Sequence, residues 1–360
     1  MKHTLGEIGE PYIGLTYSPA DVVPEGGVIV FRSSNIKDGE IDYCDIVRVN
    51  KKLKESLITR KDDLLICARN GSPRLIGKNA LLKENDANQT FGAFMLVYRS
   101  PDNHFIHQLL STKSYFSQVS ENLGARINQI TTANIKDFEF FFPMNKDERD
   151  KISRFLDLID QRIAIQNRVI EKYESLIRAI YGQLFSGLSG KHMQLGELVL
   201  IQKGKQLNSE FLQTEGKYYV MNGGIEPSGY YDKANSPADT ISISEGGNSC
   251  GYVQYNTAPF WSGGHCYTLS CSDESVVDYK YLFHYLKHHE EDIKALRIGS
   301  GLPNIQKKDI ERFPVVVPAP ILQRKLALVF GLMTKRIRLE KVALNNLLLQ
   351  KGFMLSNLFI

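Results

Sequence analysis

The sequence lacks the features that mark several large classes of protein. No run of 18 apolar residues occurs among its 360 residues, and the start, MKHTLGEIGE, has no apolar segment of the kind found in export signals. We therefore expect a protein that neither spans a membrane nor is exported, and that works in the cytoplasm. The five cysteines form no Cys-x-x-Cys pair, which favours buried thiols in a reducing compartment. A zinc site at His265, Cys266 and Cys271 is the weaker alternative.

Sequence motifs of catalysis are also missing. The chain contains no Asn-Pro-Pro-Tyr or Asp-Pro-Pro-Tyr of an amino-methyltransferase, and no Gly-x-x-x-x-Gly-Lys-Ser/Thr loop of a nucleotide hydrolase. Asp62 and Asp63, or Asp278 with Lys280, could contribute to a metal-nuclease centre, but an entry to a strand and a helix start explain them better. We expect no catalytic residues, no metal site and no cofactor in this chain. Its formal net charge of +4 permits a nucleic-acid partner without requiring one.

The main positive signal is an internal repeat. Three segments of the first half return in the same order in the second half: LGEI (5–8) as LGEL (195–198), DLLICARNG (63–71) as DTISISEGG (239–247), and IKDFEFFFP (135–143) as IERFPVVVP (310–318). We expect the last pair to form strands, and the middle pair to form a strand that begins at an Asp and ends in a glycine turn. Such a long period indicates a duplicated globular module rather than a solenoid unit.

A long helix is predicted after each globular module. Apolar residues alternate at spacings of 4 and 3 along both segments, at Ile152, Leu156, Ile159, Ile163, Ile170 and Ile177 in the first and at Phe330, Met333, Ile337, Leu344 and Leu347 in the second. This spacing predicts a coiled-coil seam. The helices must pair antiparallel, because the second begins where the first has delivered the chain. A second apolar stripe follows Phe155, Leu158, Ile165 and Val169. Either the chain's own domains or another protein must cover it, and we favour another protein.

These patterns predict an α+β fold with a pseudo-two-fold internal repeat. Two mixed α/β recognition domains are separated by two long antiparallel coiled-coil helices. The predicted divisions are a first domain at 1–145, a first helix at 146–187, a second domain at 188–320 and a second helix at 321–360. From 152 to 184 the seam rises by about 48 Å, at about 1.5 Å per residue. The helices would then act as a spacer between the two globular domains.

The whole chain resembles the specificity subunits of type I restriction–modification systems. The matching motifs are listed in chain order: GVIVFRSSNIKDGEI (27–41), KDDLLICARNGSPRLIGKNALL (61–82), YYVMNGGIEPSGYYD (218–232), EGGNSCGYV (245–253) and GSGLPNIQKKDIERFPVVVPAP (299–320). The resemblance implies a non-catalytic subunit that reads a split sequence in double-stranded DNA. It also implies two methyltransferase subunits that bind S-adenosylmethionine and modify adenine N6, and restriction subunits that use ATP and Mg²⁺.

Candidate DNA-binding residues lie in polar turns between strands. They are Arg69, Asn70, Ser72, Arg74 and Lys78 in the first domain, and Lys203, Lys205, Asn222, Tyr230, Tyr231, Asn248, Ser249, Tyr252, Lys307 and Lys308 in the second. Arg can pair with guanine and Asn with adenine, at about 1–3 kcal/mol of discrimination each. The lysines are candidate phosphate contacts. Each residue has a plainer alternative as part of a solvated surface turn, and the tyrosines could instead cover a core.

Three other functions compete with this hypothesis. The chain could be the DNA-recognition subunit of a related split methyltransferase–nuclease, a coiled-coil scaffold without nucleic acid, or a nuclease acting alone. The two predicted turns differ sharply while the predicted helices agree. That combination favours two readers of different half-sites on one shared frame.

Overall fold

The computed structural model describes residues 1–123, 128–299, 301 and 303–359. The chain divides into two compact units, one comprising Met1–Asn167 with Ala343–Ile360 and the other Arg168–Val342. Each unit therefore contains part of both long helices. The predicted division into four segments remains a prediction. Among the described residues, no helix combines the length and the apolar character needed to cross a membrane.

The first unit is built on a four-stranded antiparallel sheet with a second sheet beside it. Its strands are β1 Lys2–Thr4, β2 Glu10–Ile13, β3 Val22–Val23, β4 Val28–Phe31, β5 Ile36–Lys37, β6 Glu40–Ile41, β7 Val47–Val49, β8 Leu64–Cys67, β9 Asn79–Leu81, β10 Thr90–Phe91, β11 Met95–Arg99 and β12 Glu139–Phe141. Its helices are α1 Leu5–Ile8, α2 Asn103–Leu109, α3 Lys113–Glu121, α4 Thr132–Asp137 and the start of α5 Lys146–Ser186. The main sheet has the order β2-β11-β8-β9, and the second sheet has the order β10-β4-β7-β3.

The second unit repeats this plan. Its strands are β13 Lys191–Gln194, β14 Val199–Lys203, β15 Tyr218–Met221, β16 Gly229–Tyr231, β17 Thr240–Ser244, β18 Val253–Asn256, β19 Trp261–Ser262, β20 Cys266–Cys271 and β21 Pro314–Val317. Its helices are α6 Leu195–Leu198, α7 Tyr279–His288, α8 Glu290–Ala295, α9 Lys307–Glu311 and the start of α10 Pro320–Leu358. The main sheet has the order β14-β20-β17-β18, and β16-β15-β19 form the second sheet. The fold class predicted from the sequence is confirmed.

Central strands of both main sheets are fully buried, for different reasons. Strand β8 is a continuous apolar run, LLIC, as expected for a strand covered on both faces. Strand β17 reads TISIS and is equally buried. Its serines are tolerated because they are hydrogen-bonded: Ser244 Oγ donates to the Gly223 carbonyl at 2.6 Å, and Ser242 Oγ accepts from Asn256 Nδ2 at 2.8 Å.

A close backbone approach fixes how the two units correspond. A Cβ on Gly14 would lie 2.1 Å from the Gly92 carbonyl oxygen, and a Cβ on Gly204 would lie 2.2 Å from that of Gly263. The Gly14 amide donates to the Met95 carbonyl at 3.1 Å, and the Gly204 amide donates to the Cys266 carbonyl at 2.8 Å. Only glycine permits this contact, so both copies keep it.

The alignment of the central strands predicted from sequence is wrong by one residue. Residue Cys67 pairs with Met95 and Ser244 pairs with Cys266, so Cys67 corresponds to Ser244, a shift of 177 rather than 176. The two turn residues with left-handed backbone agree, since Asp62 has φ 62° and Asp239 has φ 55°. The correction matters because a slip of one residue along a strand exchanges its two faces.

The prediction of uninterrupted strands at 135–143 and 310–318 is also wrong. Each copy begins as a short helix, α4 or α9, and only then enters strand β12 or β21. In the first copy the Thr131 hydroxyl accepts from the Asn134 amide at 3.1 Å and caps α4. The capped turn outweighs the apolar pattern that suggested a longer strand.

The long helices pair antiparallel within each unit. In the first unit Lys351 of α10 lies 2.5 Å from Asp160 of α5, while Ile152 and Phe359 pack against the same core. In the second unit the rings of Tyr181 and Phe330 stack with centroids 4.1 Å apart, and Lys341 lies 2.8 Å from Glu174. Residue numbers rise along one helix as they fall along the other. The predicted antiparallel direction is confirmed in both units.

The predicted seam residues are covered and the second stripe is exposed. On α5, Leu156, Ile159, Ile170 and Ile177 are buried, and Ile152 and Ile163 are half-buried; on α10, Phe330 is buried and Met333, Ile337, Leu344 and Leu347 are half-buried. By contrast, Phe155, Leu158 and Ile165 are exposed and Val169 is half-buried. Helix α10 carries its own exposed apolar stripe, through Leu328, Leu332, Leu339, Val342, Leu349 and Phe353.

Candidate nucleic-acid interface

In the first unit, the turn after β8 presents an arginine supported by an aromatic ring. The guanidinium of Arg69 lies 4.9 Å from the centroid of the Phe94 ring, and the Arg69 amide donates to the Phe94 carbonyl at 3.0 Å. Residue Arg69 is exposed. A guanidinium stacked on a ring keeps its N–H groups available in its plane, which suits bidentate contact with a base edge.

The neighbouring Asn70 is occupied within the turn. Its Nδ2 donates to Ser33 Oγ at 2.9 Å, and its Oδ1 accepts from the Ser72 amide at 3.0 Å. Its side chain therefore shapes the turn. Ser72 leads into a 3₁₀ turn that carries the exposed Arg74, and Lys78 is half-buried beyond it. The structure thus leaves Arg69 and Arg74 as the charged groups that this turn presents.

In the second unit the corresponding turn is glycine-rich. Gly247–Ser249 forms a 3₁₀ turn, with Asn248 exposed and Ser249 half-buried. Tyr252 lies behind the turn, where the Lys287 ammonium sits 4.0 Å from its ring centroid. Burial raises the pKa of Tyr252. Packing therefore explains Tyr252 better than a free recognition surface does.

A compact cluster of polar side chains stands where this turn begins. The Lys203 ammonium donates to Glu245 Oε1 at 2.6 Å, and the Tyr267 hydroxyl donates to the same oxygen at 3.0 Å. The other oxygen, Oε2, lies 3.6 Å from His265 Nδ1. The Asn222 Oδ1 accepts from the His265 amide at 3.1 Å and so fixes that residue's backbone.

A second group of candidates lies on the sheet β16-β15-β19. The Tyr231 and Trp261 rings meet edge to face at 5.2 Å, and Trp261 Nε1 donates to the Lys205 carbonyl at 2.9 Å. Tyr230 pairs with Tyr219 across the strands. Lys205 is exposed and both candidate tyrosines are half-buried. The structure therefore brings Lys205 and Tyr231 together around the single tryptophan.

Residues Lys307 and Lys308 both lie on helix α9. Lys307 pairs with Glu311 at 3.4 Å, and Lys308 is exposed. The backbone of Lys307 hydrogen-bonds to the Tyr267 hydroxyl, so helix α9 begins beside the Glu245 cluster.

Sequence reasoning did not assign five residues of these sites to DNA contact: Phe94, Glu245, Trp261, His265 and Tyr267. Corrected for the one-residue slip, the repeat pairs Ala68 with Glu245, since each donates its amide to the carbonyl of Phe94 or His265 at 2.9 Å. A buried acid opposite an alanine in two otherwise equivalent strands is the signal that could have revealed the site. Within the described residues, no group of three metal-ligating side chains is close enough together to hold an ion.

The family to which the chain belongs follows from comparison with known proteins. A family model described as the type I restriction modification DNA specificity domain matches residues 1–175 and again 190–350. The chain belongs to this family. The two matches fall on the two halves of the repeat, so each copy is a specificity domain. The chain accordingly contains two type I restriction–modification DNA specificity domains.

Named relatives match parts of the chain. A protein of Mycoplasma pneumoniae that carries the name type I specificity subunit S.MpnORF638P is 36% identical over 144 residues, which cover 40% of this chain and 38% of that protein. The EcoKI specificity subunit of Escherichia coli is 26% identical over 181 residues, 48% of this chain and 38% of that protein. These matches span less than half the length of either relative.

Solved structures share the fold over the full chain. The S subunit of a type I restriction–modification system from Mycoplasma genitalium superposes with a TM-score of 0.72 at 23% identity, covering 100% of this chain and 96% of that one. A structure described in terms of complex assembly and conformational transition of the type I system gives 0.53 at 16% identity, covering 99% and 96%.

Proposed function

We propose that the specificity subunit reads a bipartite, gapped target in double-stranded DNA, one half-site with each unit, and has no catalytic activity. The main support for this proposal is that the two units share one backbone arrangement but carry different side chains in the equivalent turns. Both units repeat the strand order and the amide contacts at Gly14 and Gly204, while the Arg69 turn and the Glu245 turn differ in charge. Phosphate contacts position a protein on DNA, whereas base contacts specify the sequence, so two half-sites require two different sets of side chains.

The subunit also holds enzymatic partners over the DNA. The exposed stripes of α5 and α10 supply an apolar surface along both long helices. Two methyltransferase subunits dock there, and restriction subunits join the assembly. S-adenosylmethionine, ATP and Mg²⁺ are bound by those partners, and the assembly works in the cytoplasm without a membrane partner.

The long helices set the length of the unread gap. Helix α5 has 41 residues and α10 has 39. A helix acts as a spacer whose length changes by about 1.5 Å per residue, and only changes of whole heptads keep the apolar seam in register. Removing one heptad from each helix, residues 163–169 and 342–348, shortens the spacer by about 10 Å while keeping the apolar period.

Selection from a pool of random double-stranded oligonucleotides tests the proposal. The full chain, assembled with the methyltransferase subunit of its own system, is expected to enrich two conserved blocks separated by a constant gap. Affinity should fall steeply between 50 and 200 mM salt, because neutralised phosphates release counterions. Enrichment of no sequence at all would exclude DNA reading. The doubly shortened chain should select a shorter gap, and an unchanged gap would exclude the spacer role.

A further inference from the structure

Four equivalent positions of the two units differ together, from apolar to polar. The matched hydrogen bonds and strand pairs align Ala68 with Glu245 and Phe94 with His265. The pairing of β2 with β11 and of β14 with β20 aligns Ile13 with Lys203 and Leu96 with Tyr267, because Ile13 pairs with Leu96 and Lys203 with Tyr267. These four positions are therefore all apolar in the first unit and all polar in the second.

The polar cluster is built around a buried carboxylate. The Glu245 side chain is 11% exposed, whereas those of Lys203 and His265 are 52% and 61% exposed. Burying a carboxylate costs several kcal/mol unless charged or hydrogen-bonding partners surround it. The fold does not require Glu245 at this position, because the first unit forms the same strand contacts with Ala68 in the equivalent place.

The two oxygens of the Glu245 carboxylate have different surroundings. Oε2 of Glu245 is buried and has no hydrogen-bond partner among the residues that the structure describes. His265 Nδ1 lies 3.6 Å from this oxygen. With both ring nitrogens protonated, a small turn of the imidazole would let Nδ1–H donate to this oxygen and leave Nε2–H as a donor toward solvent. The carboxylate thus orients two outward donors, the Lys203 ammonium and the His265 ring.

The apolar cluster of the first unit leaves its side chains in the open. Residues Ile13 and Phe94 are 60% and 56% exposed, although both are large and apolar. Contacts to phosphate carry no sequence information and would be kept in both copies. Replacement of two exposed apolar groups by two donors is expected instead where the units face different bases.

Resting on the proposed function, we propose that Lys203 and His265 read a base of the second half-site by donating hydrogen bonds to guanine O6 and N7, and that Glu245 positions both donors. Guanine is the base that presents two acceptors in the major groove, which matches two adjacent donors. In the first unit Ile13 and Phe94 meet an apolar base edge, for which the thymine methyl group is the natural counterpart.

The experiment replaces the polar side chains of the second unit by apolar ones, and makes the reverse change at an equivalent position of the first unit. The His265→Phe and Lys203→Met variants, each assembled with the methyltransferase subunit, select from a pool of random duplexes beside the unaltered chain. Loss of guanine preference by about tenfold or more is expected at one position of one block, with the other block unchanged. Phe94→His is the matched variant, and it should alter the other block only.

The test of Glu245 needs a measurement that would not change if Glu245 only stabilised the fold. Glu245→Gln should relax the same guanine position, while Glu245→Asp, which keeps the charge, should restore part of the preference. The thermal midpoint, followed through Trp261 fluorescence, reports folding of the second unit separately. If every variant still selects both sequence blocks unchanged, the inference is wrong but the proposed function is not affected. The same conclusion follows from a uniform loss of affinity with a smaller salt dependence, which indicates phosphate contact only. Absence of any block with the unaltered chain would remove the proposed function itself.

Discussion

The two units hold their long helices by opposite chemistry on the same frame. In the first unit Gln108 Nε2 donates to Asp157 and Asp160, and Asp160 also pairs with Lys351. In the second unit the corresponding place is a stack of rings around Phe330, which lies 4.1 Å from Tyr181 and 5.4 Å from Phe185.

Some contacts of this junction are nevertheless kept. Phe359 meets Phe105 at 5.2 Å in the first unit, and Phe185 meets Tyr281 at 6.3 Å in the second. Phe185 and Phe359 correspond because they are 174 residues apart and each stands at the C-terminal end of its long helix. Phe105 and Tyr281 correspond because each stands three residues after the aspartate that precedes its helix, Asp102 or Asp278. The comparison shows that a few conserved apolar contacts are enough to fix the helix junction. The side chains around those contacts can then be charged, as in the first unit, or aromatic, as in the second.

Truncating the ring at the centre of the second junction should give the largest effect. Phe330→Ala removes contacts to three neighbouring rings, and we expect a loss of about 3–5 kcal/mol in the free energy of unfolding. The equivalent truncation in the first unit, Leu156→Ala, should cost about 2–5 kcal/mol. Denaturant titrations followed by Trp261 fluorescence and by circular dichroism measure both. Phe353→Ala on the exposed face of α10 is the control, and a loss below about 1 kcal/mol for Phe330→Ala would contradict the packing.

Converting the charged junction to the chemistry of its counterpart should show that the charges are coupled. Lys351 corresponds to Ile177 and Asp160 to Thr334. Lys351→Ile alone leaves Asp160 without its cation in a half-buried place, at a cost of about 2 kcal/mol. The double variant Lys351→Ile, Asp160→Thr should recover most of that loss, because no charge is left unpaired. A double-mutant cycle measures the coupling, and purely additive losses would count against it.

Acid should weaken the second junction through a buried histidine. Burial lowers the pKa of His284 to about 4, from an ordinary value near 6.5, and its Nδ1 shares a hydrogen bond of 2.7 Å with the Tyr181 hydroxyl. The folded protein therefore favours the neutral form of the His284 imidazole, whereas the unfolded chain binds a proton more readily. The stability that the neutral form contributes is complete above pH 6.5 and falls as the pH drops toward 4, by about 1 kcal/mol at pH 5.5. His284→Gln carries the first unit's residue, Gln108, and should show a shallower loss between pH 7 and pH 5.5. Identical slopes would contradict this assignment.

The parts of the molecule that depend on periodicity could be predicted from the sequence. The heptads through Ile152 to Ile177 predicted the seam, because apolar spacing alone decides which helix face is covered. The order of domains and helices along the chain predicted the antiparallel direction. The Glu245 cluster could not be predicted in this way. It depends on a one-residue register between strands and on side chains distant in sequence, Lys203 and His265, which only the sheet brings together. The capped turn at Thr131 was likewise hidden behind an apolar run that reads as strand.

The smallest effect on stability is expected on the open stripe of α10, and it separates folding from assembly. Leu332 is 59% exposed, although it lies between the half-buried residues Gly331 and Met333. Leu332→Ser should change the free energy of unfolding by no more than about 0.5 kcal/mol, because its side chain contributes little to the chain's own core. If the stripe is a docking surface, the same change should weaken capture of the methyltransferase subunit, measured by sedimentation of the mixed subunits. Lys335→Ser, at another exposed position of the same helix, controls for a general surface effect. Unweakened assembly with Leu332→Ser and with Leu339→Ser would exclude this stripe from the interface, and the exposed residues of α5 would then have to carry the partner alone.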